Sequence, residues 1–121
     1  MKKLLFLGLI AFGFNNLSAQ ELKLHSEAIE FGDVNLNTEV SSVLKVTNTG
    51  NADLIIKSVV GSCGCTVPEF PKTPIAPGKT ADIKVNYSVG PTAGTFNKTV
   101  TISSNDINSS RKIFRVKGNA K

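Results

Sequence analysis

The stretch Ala81-Asp82-Ile83-Lys84-Val85-Asn86-Tyr87 decides the fold. Ala81, Ile83, Val85 and Tyr87 point one way, and Asp82, Lys84 and Asn86 point the other. A period of two belongs to a strand with one buried and one wet face. The same period recurs downstream. Phe96, Val100 and Ile102 share one parity against Thr95, Thr99 and Thr101, and Phe114 and Val116 alternate with Arg115 and Lys117. Lys98 interrupts this pattern and predicts a bulge or an edge position. Upstream, Leu44 and Val46 precede the turn cluster Asn48-Thr49-Gly50-Asn51. Leu54 and Ile56 open a strand that runs towards Val59, and residues 28–31 form a shorter one. Gly32-Asp33, Pro77-Gly78, Gly90-Pro91 and Ser104-Asn105-Asp106 fall between runs. No long stretch carries the helical period. About seven short strands with polar turns predict antiparallel sheets, packed face to face as a β-sandwich of about 100 residues.

The chain begins with a basic Met1-Lys2-Lys3, an apolar run over residues 4–14, and the small-residue stretch Ser18-Ala19-Gln20. That three-part layout predicts a secretory signal over residues 1–19, cut between Ala19 and Gln20. The apolar run is short of the roughly 20 residues that span a bilayer. Removal of the 19-residue signal leaves 102 of the 121 residues, which make one domain over residues 20–121. No second apolar stretch follows, so the expected product is exported: periplasmic, on the outer cell surface, or extracellular. The chain carries 14 basic and 9 acidic residues. Two of the basic ones leave with the signal, and the mild balance that remains argues against nucleic-acid partners. Arg111, Lys112, Arg115 and Lys117 are concentrated on one strand and read as a solvated face.

Residues 61–77 depart from this regularity. They hold both cysteines and four of the five prolines. Proline removes backbone donors, so this is no central strand, although a short edge strand fits near Thr66-Val67. A long irregular segment on a small sandwich is where function is expected. Cys63 and Cys65 are the candidate site, with Ser62, Gly64, Thr66, Pro68, Phe70 and Lys72 as the supporting loop.

Several motifs together resemble one family. They are Phe31-Gly32-Asp33-Val34, Asn48-Thr49-Gly50-Asn51-Ala52-Asp53-Leu54-Ile55-Ile56, Ser62-Cys63-Gly64-Cys65-Thr66, Ile75-Ala76-Pro77-Gly78, Gly94-Thr95-Phe96 and Val116-Lys117-Gly118. The family is an exported bacterial immunoglobulin-like domain of unknown function. It is similar to Hydin-type and major-sperm-protein-type Ig-like domains. The resemblance covers about residues 28–119 and implies an all-β, immunoglobulin-like antiparallel β-sandwich without enzymatic activity. The antibody subtype is excluded, because the two cysteines are two residues apart and tryptophan is absent. The core then rests on aliphatics with Phe31, Phe96, Phe114 and Tyr87.

Three states are open to Cys63 and Cys65. They can form a disulfide with each other if the backbone turns, which a positive φ at Gly64 would permit. They can stay reduced and pack the loop. They can bind a soft metal such as Cu(I), with His25 an ordinary surface residue near the mature N-terminus. No phosphate loop, paired-His zinc motif or carboxylate pair is present, and no cofactor is expected. The sequence therefore predicts a non-enzymatic binding or assembly module. It would engage other proteins or cell-envelope components through an open sheet edge, the proline-rich loop, or both. The alternative is a thiol-based accessory protein, in which Cys63 and Cys65 exchange disulfides or bind copper.

Overall fold

The computed structural model describes residues 19–121, and the apolar run of the predicted signal lies outside the described residues. The described chain holds eight strands: β1 (Leu22–Leu24), β2 (Ala28–Val34), β3 (Glu39–Asn48), β4 (Ile56–Gly61), β5 (Thr66–Glu69), β6 (Thr80–Ser88), β7 (Gly94–Ser104) and β8 (Arg111–Ala120). One sheet has the order β1-β3-β6-β5 and the other β2-β8-β7-β4. The eighth strand is β1, whose three residues are too few to show a period. β1 and β2 follow one another on different sheets, so the N-terminal stretch crosses from one layer to the other over residues 25–27.

The alternation at residues 81–87 sets the inner faces. Ile83 and Val85 are fully buried and Tyr87 is buried, while Asp82 and Lys84 are exposed. Across the sandwich they meet Val100, Ile102, Phe114 and Val116, all fully buried. Each such side chain removed from water contributes about 1.5–3 kcal/mol. At one end a second cluster gathers Val34, Tyr87, Val89 and Ala120. There the Tyr87 and Phe96 rings stack with centroids 4.3 Å apart. Phe96 is half-buried, and its ring covers the bare backbone of Gly118, where an added Cβ would run into the ring tip.

Four local expectations change. Gly32-Asp33 lies within β2, at a register shift between Glu30 and Asp33, with Gly32 at φ 70°. Positive φ there accommodates a bulge, so the pair is not a turn between strands. Lys98 has no bulge: its pairing with β8 runs unbroken from Gly94 to Ser103. It lies on the half of β7 that β4 does not reach, because β4 pairs only from Val100 onward, and this is edge-like. Leu54 precedes β4, forming an isolated bridge with Ile75. Finally, β2 and β8 pair in parallel, whereas the other strand pairs are antiparallel.

Candidate functional site

β4 ends at the edge of one sheet and β5 begins at the edge of the other, so residues 62–65 form the corner between layers. The Thr66 N–H donates to the Cys63 carbonyl at 3.2 Å, closing a four-residue turn. Within it a disulfide joins Cys63 and Cys65, with their Cα atoms 5.3 Å apart. Gly64 caps the corner, and its φ lies outside the left-handed region. Beyond its two chain neighbours, no atom would lie within 4 Å of an added Cβ there. The disulfide therefore forms without the positive φ that Gly64 would permit, because the turn itself brings the two sulfurs together.

The glycine that the corner requires is Gly61. A Cβ on it would stand 2.8 Å from both the Cβ and the carbonyl oxygen of Thr66. Thr66 is buried, and its hydroxyl stands 3.6 Å from the Cys63 sulfur. Ser62 ties the corner to β7, donating its N–H to the Thr99 carbonyl at 2.9 Å and accepting the Thr99 N–H at 3.2 Å. Cys65 packs on the cluster that contains Tyr87, and burial pushes the Tyr87 hydroxyl above its ordinary pKa. The sequence offered no local signal for Gly61, since its close contact is with a residue across the corner.

The supporting loop divides. Phe70 packs against the main core, and the Lys72 ammonium sits over its ring, 5.0 Å from the centroid. Pro68 lies in β5. Ser88 donates its N–H to the Cys65 carbonyl at 2.9 Å, so the alternation turns the main-chain groups of Thr66 and Pro68 to the outer side. Pro68 has no N–H, and the Thr66 N–H is already used within the corner. The β5 edge is thus blunted against another strand. His25 is exposed, with its Nε2 2.6 Å from the Thr47 hydroxyl. No group of three or more His, Cys, Asp or Glu residues is placed to hold a metal among the described residues.

Elsewhere, one row on the outer face of the second sheet runs Val60, Thr101, Ile113 across three strands. Val60 and Ile113 are each 58% exposed. A groove of about 890 Å³ lies between β1 and the start of β8, where Arg111, Lys112, Arg115 and Lys117 converge. By sequence those four residues read as a plain solvated face, because only the change of sheet between β1 and β2 creates the groove.

The profile of the family described as "Protein of unknown function (DUF1573)" matches residues 11–120. No curated protein matches the sequence. Among solved structures, the chain is similar to a protein of unknown function from Porphyromonas gingivalis W83, with a TM-score of 0.73 and 17% identity over 88% of this chain. It spans half the length of that protein. It is also similar to the ASH/PapD-like domain 7 of human CEP192, with a TM-score of 0.68 and 8% identity, covering 85% of this chain and 87% of that one. Similarity to the Vibrio cholerae VesB protease has a TM-score of 0.64 and 14% identity, covering 94% of this chain and 35% of that one. At these identities the likeness establishes an immunoglobulin-like, PapD-like sandwich.

Proposed function

This chain belongs to the DUF1573 family of proteins of unknown function, and we propose that it acts as an exported, non-enzymatic binding or assembly module. Its partner is another protein or a cell-envelope component. Export rests on the basic start, apolar run and small-residue site of residues 1–19. The kinship with Hydin-type and major-sperm-protein-type domains belongs to the same reading. One observation carries the binding role. Val60 and Ile113, two β-branched side chains each 58% exposed, flank Thr101 in one row of an outer sheet face. Apolar side chains grouped on a wet face favour contact with a partner. Disulfide exchange at Cys63 and Cys65 is the competing role.

Affinity capture from the exported fraction separates the two, using wild type, Val60→Lys and a Cys63→Ser/Cys65→Ser double variant. Capture lost in Val60→Lys and kept in the cysteine variant supports the binding module. Loss in the cysteine variant alone moves the function to the disulfide. Equal capture by all three removes this face from consideration. Mass determination of the mature N-terminus checks export, with Gln20 as the expected first residue.

A further inference from the structure

The chain leaves part of β8 without a neighbour. β8 pairs with β7 from Arg111 to Ala120, but β2 joins it only from Arg115 onward. On the side away from β7, the residues from Arg111 to Phe114 have no strand partner among the described residues. Two hydrogen bonds define which groups point there. Ser104 donates its N–H to the Ser110 carbonyl at 2.9 Å, and Arg115 donates its N–H to the Glu27 carbonyl at 3.0 Å. Even-numbered residues of β8 therefore bond to β7, and odd-numbered residues face the β2 side. The Arg111 carbonyl accepts the Ser109 hydroxyl at 2.8 Å. Among the described residues the Arg111 N–H and both main-chain groups of Ile113 are left open.

These groups border the 890 Å³ groove, whose opposite wall is β1 with Leu22 and Leu24. Five cations line it, Lys23 from β1 and four from β8, against the two carboxylates Glu21 and Glu27. None of the five takes part in an ion pair among the described residues, where the pairs are Lys45–Asp82 and Lys121–Asp33.

We infer that this groove accepts an extended acidic peptide segment, which adds as a short strand beside residues 111–114. Main-chain pairing supplies the docking, and the lining cations select carboxylates on the incoming chain. A nucleic acid or polyphosphate would use the cations but not the Ile113 main chain. The inference deepens the binding-module reading by naming a partner chemistry, and it rests on that reading.

The test uses the protein over residues 20–121 and a labelled Val-Glu-Val-Glu-Val-Glu-Val peptide. Its Val-Lys counterpart and a single-stranded oligonucleotide serve as comparisons. The acidic peptide binds, and the basic peptide binds about tenfold more weakly or worse. Ile113→Pro removes one outward N–H while sparing the β7 ladder, and it reduces binding of the acidic peptide about tenfold. Arg111→Glu does the same. Circular dichroism checks that both variants are folded, and amide exchange at Ile113 slows on peptide binding in wild type. No binding of the acidic peptide overturns the inference. So does peptide binding unchanged by Ile113→Pro, or binding of the oligonucleotide that equals the peptide's and is equally indifferent to that change. Loss of partner capture in Val60→Lys without acidic-peptide binding retains the module and rejects this groove.

Discussion

The Asn48 side chain donates to the Ile75 carbonyl at 2.8 Å, and Ile75 exchanges two main-chain hydrogen bonds with Leu54. The same amide donates to the Ala52 carbonyl at 2.7 Å and accepts the Gly50 N–H at 2.9 Å. Asn48 is fully buried. One satisfied amide therefore pins the β3–β4 connection to the segment that leads into β6. Removing it leaves the half-buried Ala52 carbonyl and Gly50 N–H without this partner and takes one of two donors from the buried Ile75 carbonyl, and a shielded polar group costs more unpaired than its bond contributes.

Asn48→Ala is expected to lower unfolding free energy by about 2–3 kcal/mol. Asn48→Asp is expected to be no better, since a carboxylate cannot donate to Ile75 or Ala52. Urea unfolding followed by circular dichroism measures both.

The two glycines of the corner should respond unequally to a methyl group. Gly61→Ala drives a methyl into Thr66 and is expected to cost about 1–3 kcal/mol, the range for overpacking. Gly64→Ala has open space and an ordinary φ, so its effect is expected within about 0.5 kcal/mol. Comparable losses in the two variants would contradict the assigned roles.

Thiol titration of the purified protein is expected to find no free thiol, with or without denaturant, because both cysteines are in the bond. The closed loop is tiny, so Cys63→Ser/Cys65→Ser should lower stability by only about 1–2 kcal/mol. Urea midpoints of the oxidised protein and the double variant give the difference.

Asp106 should produce an acid-sensitive component of stability. Burial raises its pKa, but N–H donors from Leu22, Ser109 and Asn108 and the charge of Lys112 outweigh that and hold the carboxyl below its ordinary 3.8. A depressed carboxylate stabilises the fold above its unfolded pKa, and the gain disappears as pH falls through the folded value. The Leu22 bond, 2.7 Å long, secures β1. Asp106→Asn should therefore be destabilising near neutrality, with its deficit relative to wild type shrinking as pH falls below about 5 and on through the lowered folded pKa. A deficit independent of pH would contradict the assignment.

The legible part of the fold was the part written in alternation. Ile83, Val85, Val100, Ile102, Phe114 and Val116 show period two, and all of them are buried. β1 and the parallel partner of β8 were not legible. A three-residue strand has no period, and alternation carries no information about strand direction. At the site, Cys63 and Cys65 were visible as residue types. Gly61 was not, because its constraint comes from Thr66 across the corner. The basic residues of β8 were visible as a charge cluster, but the groove beside them depends on the chain changing sheets over residues 25–27.

The parallel pairing of β2 with β8 has a mechanical consequence. These strands lie near opposite ends of the chain sequence yet run side by side in the same direction. Tension applied before β2 and after β8 pulls them lengthwise past each other. The hydrogen bonds between them are then loaded together in shear, not opened one at a time as in a hairpin pulled at its ends. A domain strung between two anchored structures in this way would resist extension until the whole β2–β8 contact gave way at once.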